Sequence, residues 1–333
     1  MLPFLLALAP AIVTATVETD PVPDRGDAAD DMCIWIDARD PSRSTIIGTN
    51  KRGGLAVYDL AGRQIQYLKG ETNNVDVRYG FPLGGRSVDI VAATTHHGRT
   101  IEVFAVDRET RTLAHAGEIV AGIDLYGTCM YHDQESARYY VFVTSKDGAF
   151  EQWELEALDG GKVGGKRVRA LSFGGQAEGC VADDALGVVY VSEESKGIWR
   201  VPGSPGSSEK PTLVDRAGDG HLVPDVEGLA LYCNADGTGF LIASSQGNDT
   251  FAVYRREGRN DYVTSFAIGA GTIDGAEETD GIDVSGVNLG PSFERGLFVA
   301  QNGRNDRGNQ SFLLVPWDAI AAKLGPLQVA GRD

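Results

Sequence analysis

What most limits the fold of this chain is a module that recurs six times: an apolar strand, a short polar loop and a second strand. The first strands begin near Thr45, Val88, Tyr139, Gly187, Gly239 and Gly296, and the strands that answer them near Gly54, Thr100, Ala149, Gly197, Thr250 and Ser311. Spacing of roughly 40 to 50 residues is that of propeller blades, which bury their faces only by packing on one another. Six modules predict an all-β chain folded as a six-bladed β-propeller. Glycine, 43 of 333 residues, supplies the tight turns that such a fold needs.

Each module carries a further landmark about one strand and turn upstream: Asp31, Val75-Asp76, Tyr126-Gly127, Glu178-Gly179, Glu227-Gly228 and Asp280-Gly281. These are expected to open the innermost strands. Inner strands of a propeller start at one end of the central channel, and the loop after each second strand returns to that end. Both sets of side chains should meet at one axial mouth. They sort by sign: Asp27, Asp30, Asp31, Glu178, Glu194, Asp225, Glu227, Asp274 and Asp280 form one arc, and Lys51, Arg52, Arg99 and Lys146 another, with Tyr126 between. Carboxylates so crowded repel unless a hard cation such as Ca²⁺ binds them through oxygen. With lysine and arginine beside them, the pattern points to several calcium ions next to an anion site. The competing reading is ordinary salt-bridging loop charge.

Other chemistries find little support. A formal net charge of −17 repels nucleic acid and anionic membranes, so neither is an expected partner, and the chain is expected to be a monomer. There is no GxSxG, HExxH or P-loop, and Gly269 to Gly275 misses the dinucleotide spacing. The stretches Asp24 to Asp31 and Asp274 to Asp283 lack the glycine and glutamate offsets of an EF-hand. Cys33, Cys129, Cys180 and Cys233 form no CxxC pair and sit in apolar runs, where they read as buried small hydrophobes; a disulfide is permitted, and the sequence assigns none. His96-His97 reads as an exposed loop pair. Residues 1–15, apolar to Ile12 and then Val13-Thr14-Ala15, read as a secretory signal peptide, leaving residues 16–333 as one propeller domain that is secreted or periplasmic. Pro202 to Pro211 reads as a long surface turn in the fourth blade, and Asp318 to Leu324 as a short helix.

With these residues in place, the chain resembles the β-propeller phytases, a calcium-dependent family of 3-phytase type that removes phosphates from inositol hexakisphosphate. The resemblance runs from about Val17 to Leu324. It is carried by Gly26-Asp-Ala-Ala-Asp-Asp31, Thr49-Asn-Lys51, Asn73-Asn-Val-Asp76, Tyr126-Gly127, Glu178-Gly179, Pro224-Asp-Val-Glu-Gly228, Ser244-Ser-Gln-Gly-Asn248 and Thr279-Asp-Gly-Ile-Asp283. It implies calcium ligands at Asp30, Asp31, Glu178, Asp225, Glu227, Gln246, Asp274 and Asp280 and at the main-chain carbonyl of Val75, with Glu18 and Asp27 as additions. Phosphate contacts are implied at Lys51, Arg52, Tyr126 and Lys146, with Glu194 near the attacking water.

Three positions depart from the family pattern. Thr95-His96 stands where an Asn-Arg pair is usual, so the phosphate arginine is lost or replaced, with Arg99 the candidate. Arg52 stands for a lysine, and Asn302 for an aspartate. The implied substrate is phytate or calcium-phytate, attacked in line by a calcium-coordinated water with Glu178 or Glu194 as base. Two other classes compete: a six-bladed lactonase or esterase with one axial calcium, and a calcium-stabilised propeller that only binds.

Overall fold

The second and third strands of the repeats lose the in-out alternation of a half-exposed sheet. Thr45–Asn50, Gly54–Asp59 and Leu297–Asn302 are buried along their whole length, because each sheet is covered on both faces by its neighbours. Outer strands such as Gln64–Lys69 and Thr212–Arg216 are half-buried or exposed. The computed structural model describes residues 10–306 and 308–324.

Among these residues, six sheets of antiparallel meanders form the blades. Their inner strands are Ala29–Trp35, Thr72–Leu83, Thr128–Asp133, Ala177–Asp183, Val226–Cys233 and Ile282–Ser285. Val17–Glu18 closes the ring, pairing antiparallel with Ser311–Pro316 as the outer strand of blade six. One apolar cluster lies at each of the six joints between blades. Cys33, Trp35 and Val91 join blades one and two, for example, and Cys129, Phe142 and Val191 join three and four.

Acids on the inner strands stitch the joints along the axis. Asp31 Oδ2 accepts from Val75 N at 3.1 Å, Asp76 Oδ2 from Met130 N at 2.7 Å, Asp184 Oδ1 from His132 N at 3.1 Å and Asp283 Oδ2 from Ile34 N at 2.8 Å. Buried carboxylates are tolerable when they accept such bonds and find a countercharge. Arg78 provides one, lying 3.0 Å from both Asp76 and Asp184.

The six-bladed expectation holds, and Pro202 to Pro211 does lie between the third and fourth strands of blade four. Three expectations change. Cys129 and Cys180 form a disulfide between the inner strands of blades three and four, and Cys233 is exposed; only Cys33 is a buried free thiol. The C-terminal helix is Trp317–Ala321, starting where Trp317 buries its ring. His96 is half-buried and bonded to Asn73. Within the stretch read as a leader, residues 1–9 lie outside the described residues, but Ala11–Val13 forms a strand parallel to Tyr262–Ile268 on the edge of blade five, with Val13 and Ala15 buried.

Candidate active site

At the mouth of the channel the inner strands share one irregularity. Pairing jumps from Ala29↔Asn50 to Met32↔Gly48, from Thr72↔Thr95 to Val75↔Ala93, from Ala177↔Glu193 to Cys180↔Val191 and from Val226↔Ser245 to Leu229↔Ala243. Each jump sets three steps of the inner strand against two of its partner, a β-bulge, the device that re-aims a side chain at a sheet edge. The first residue inside these bulges is Asp30, Asn73, Glu178 or Glu227. Tyr126 and Asp280 hold the matching place in blades three and six, two residues ahead of Thr128 and Ile282. Each blade thus contributes one residue to an axial ring.

In blades three and four the glycine after the ring residue explains how the ring stays tight. A Cβ on Gly127 would lie 1.8 Å from the carbonyl oxygen of Glu178, and one on Gly179 would lie 2.1 Å from that of Glu227. Only glycine lets neighbouring inner strands approach this closely.

A second set of side chains stands directly after the second strands. Lys51 N, His96 N, Glu194 N and Gln246 N donate to the carbonyls of Ala28, Glu71, Gln176 and Asp225 at 2.7, 3.0, 2.9 and 2.9 Å, equivalent bonds in blades one, two, four and five. In blade three, Lys146 comes two residues after the strand and places its ammonium 4.4 Å from the Tyr126 ring centre, a cation–π contact.

The two sets interlock. Lys51 Nζ lies 2.7 Å from Asp30 Oδ1, 2.8 Å from Asp27 and 3.5 Å from Asp280. Asn73, fully buried, donates through Nδ2 to Asp30 at 2.9 Å and Glu178 at 3.0 Å, while its Oδ1 meets His96 Nδ1 at 2.8 Å. Gln246 donates to Asp280 at 2.7 Å, and Gln176 to the Tyr126 hydroxyl at 3.2 Å. Glu178, Glu194 and Glu227 each bring a carboxylate oxygen within 4.8 Å of the others, and all three are buried. Glu194 Oε1 and Glu227 Oε2 have no hydrogen-bond partner. Buried acceptors left this way are costly, and a cation would satisfy them.

Charge at the mouth follows from burial and crowding. Burial first, then Asp30, Glu227 and Asp280, pushes the Glu178 carboxyl well above its ordinary range. Glu227 is raised by burial and by Glu194, and Asp280 by burial and Asp30, with Lys51 opposing. Burial and Asp225 push Glu194 up to about 6, against Gln176 and Lys146. Burial works against the Lys51 ammonium, but Asp30, Asp280 and Glu178 outweigh it and hold the proton more firmly than usual. The Tyr126 hydroxyl, raised by burial and then by Glu178, Glu227 and Asp30, stays protonated and can donate.

The expected site residues divide. Asp27, Asp30, Lys51, Tyr126, Lys146, Glu178, Glu194, Asp225, Glu227, Gln246 and Asp280 gather at the mouth. Asp31 points along the channel and binds the Val75 amide. Glu18 and Asp274 form a separate group on the loop near Asn305: Glu18 Oε1 accepts from Asn305 and Ser311 at 2.8 Å, and Asp274 Oδ2 from Asp306 N at 3.0 Å. Arg52 donates to the carbonyl of Arg25. Arg99 is exposed and pairs with Asp124 at 2.8 Å, apart from the acid cluster. The buried hub Asn73 was not among the expected site residues, and the landmarks read for blades one and two, Asp31 and Val75-Asp76, lie one to three residues beyond the ring.

A family model described as phytase matches residues 6–330. The chain is 47% identical over 330 residues to the 3-phytase of Bacillus subtilis (strain 168), covering 95% of this chain and 86% of that protein. Among solved structures it is similar in fold to BBS1N in complex with ARL6DN, at a TM-score of 0.50 and 12% identity over 86% of this chain and 78% of that one.

Proposed function

The chain belongs to the phytase family and hydrolyses phosphate monoesters of phytate, and from that premise we propose that it does so with several calcium ions held at the axial mouth. Membership sets aside the lactonase and binding-module readings. One observation carries the proposal: Glu194 Oε1 and Glu227 Oε2, buried and unpartnered, converge with Glu178 in a space that only a cation or a proton makes tolerable. The donor set fits, being all oxygen: Glu178, Glu194 and Glu227, with Asp30, Asp225, Gln246 and Asp280 around them. Asp27, Asp31 and the Val75 carbonyl are the further donors of this reading, and Glu18 and Asp274 offer a second group.

Bound calcium supplies positive charge against the phosphate dianion and makes a coordinated water more acidic. The protein's own groups do the remainder. Lys146 and Tyr126, fixed on each other in blade three, offer an ammonium and a hydroxyl donor to phosphate oxygens. Lys51 offers a second ammonium, and Arg52 extends the cationic arc at the rim. Glu194, with a carboxyl near 6, accepts a proton from the attacking water at neutral pH. Glu178, oriented by Asn73, is the other proton acceptor at the reacting centre. Phytate, or phytate already carrying calcium, is the substrate, its neighbouring phosphates spread along the cationic arc.

The disulfide supports export to a secreted or periplasmic location, since such bonds persist in oxidising compartments. Among the described residues no helix is long and apolar enough to cross a membrane. The same reading has a monomer acting without nucleic acid or membrane. The test is phosphate release from phytate after exhaustive chelation and again after calcium is restored, with calcium binding followed by titration calorimetry. Loss and recovery of activity is expected; full activity in the chelated protein would overturn the proposal.

A further inference from the structure

The six joints at the mouth are not held alike. Between blades four and five, Val226 N donates to Glu194 O at 3.0 Å; between five and six, Gly228 N donates to Asp280 O at 2.9 Å; between six and one, Gly281 N donates to Asp30 O at 3.0 Å. Between one and two the Asp31 carboxylate takes the Val75 amide, and between two and three Thr94 Oγ1 donates to Tyr126 O at 2.9 Å. At the joint of blades three and four the counterpart of the Val226 bond, Ala177 N to Ser145 O, is the longest of the set at 3.4 Å, and, among the described residues, no backbone bond links the segment Gly127 to Cys129 with Glu178 to Cys180. The Cys129–Cys180 disulfide ties that joint covalently, Cα to Cα 5.3 Å, three residues from Tyr126 and two from Glu178.

That joint is also where the chemistry changes. Blades one to three carry the groups assigned to phosphate, Lys51, Tyr126 and Lys146. Blades four to six carry most of the acids assigned to calcium, Glu178, Glu194, Glu227 and Asp280, and Asp30 of blade one continues their arc across the joint of blades six and one. We propose that Cys129 and Cys180 are positioning residues for the reaction, their disulfide fixing the distance between the phosphate-holding arc at Tyr126 and the acid arc at Glu178. The proposal rests on the assignment of those two arcs. A covalent tie two or three residues from both groups limits their relative movement far more than the glycine-to-carbonyl contact at Gly127, and small displacements of reacting groups are costly to rate. Glu178, Glu194 and Glu227 all lie on the same side of the joint, so calcium affinity depends little on it.

The test compares the wild type with Cys129→Ser/Cys180→Ser and with Cys129→Val/Cys180→Ala, at a temperature where circular dichroism shows each folded. The expected result is a fall in kcat of roughly tenfold or more and a raised KM for phytate, with calcium affinity by calorimetry within about twofold of wild type. A merely structural bond would lower Tm and leave kcat and KM unchanged, and that outcome overturns the proposal. So would four titratable thiols in the denatured, unreduced wild type. Should neither variant fold, reducing the folded wild type and blocking its thiols puts the same kinetic question. Wild-type calorimetry separates the two claims: no calcium binding there removes the calcium assignment, whereas unchanged kinetics in the variants removes only the positioning role.

Discussion

Asn73 Nδ2 lies 3.0 Å from Glu178 Oε1, so a neutral side chain of blade two ties down an acid of blade four across the mouth of the channel. The same nitrogen meets Asp30 at 2.9 Å. Two carboxylates of like charge are therefore held by one amide, and the amide is itself oriented by His96.

Replacing Asn73 by alanine leaves Asp30 and Glu178 short of a buried donor. Asn73→Ala is expected to cost about 3 kcal/mol in urea unfolding of the chelated protein, the cost of orphaning charged acceptors, and to lower kcat on phytate through a misdirected Glu178. His96→Ala should reproduce part of the kinetic loss, and His96→Asn, which keeps a donor for Asn73 Oδ1, should restore it. Equal kinetics in all three variants would remove the hub from the mechanism.

Lys51 is the countercharge of the mouth as well as a proposed phosphate contact. Its ammonium touches Asp27, Asp30 and Asp280 and is itself buried. Lys51→Met removes one positive charge from among buried acids, which destabilises strongly when nothing else neutralises them. The chelated variant should melt well below chelated wild type, and saturating calcium should close most of the gap. Phytate turnover should remain low in either condition. A gap that calcium does not narrow would mean that Lys51 and the ions do not share the same acids.

The blades were legible because paired apolar strands with polar turns repeat at a fixed spacing, and the acids of blades four to six because each is followed by a glycine that marks a close approach. Blades one and two were read out of register for a physical reason. The bulge inserts one residue at the mouth, and alternation cannot say which of Asp30 and Asp31, both inside it, faces the ring. Asn73 carries no charge, so nothing in its sequence neighbourhood marked it as a partner of two carboxylates. Arg99 was grouped by sign and by its nearness to the family's missing arginine, yet a loop arginine takes whichever acid is nearest, here Asp124. The disulfide was beyond reach because its cysteines are 51 residues apart and meet only when blades three and four pack. The strand Ala11–Val13 was not legible, because a short apolar run has no period that separates a strand from a leader.

The strand gives its own test. Ala11–Val13 pairs along Phe266 to Ile268, and Val13 and Ala15 are buried. A protein starting at Thr16 loses that apolar burial, a loss on the order of 2 kcal/mol, while the closing strand Val17–Glu18 remains. Its Tm should fall by several degrees against a protein starting at Pro10, with kcat unchanged. Mass spectrometry of the exported protein then shows whether processing removes residues 1–15 or spares the strand.

The pH dependence of stability isolates the crowded acids most directly. Glu194 is raised from 4.5 to about 6 by burial, and Glu178, Glu227 and Asp280 are raised in the same direction. On the axis, burial and Asp76 push Asp283 up to about 7. In each case the folded chain binds more protons than the unfolded one at a pH between the two values, so the stability of the chelated protein falls as pH rises. The Glu194 share is lost between about 4.5 and 6, and the others extend the loss upward. His96, lowered by burial and His97, works the other way but is outnumbered by the raised carboxyls, Asp31 and Asp184 among them. Calcium prefers the deprotonated acids, so its stabilisation should grow over the same range. Chelated protein is thus expected to melt higher at pH 5 than at pH 7.5, the order should invert in saturating calcium, and Glu194→Gln should flatten the chelated profile between 4.5 and 6. A flat chelated profile in the wild type would mean that these carboxylates are not forced together, and the mouth would then have no electrostatic need for a divalent ion.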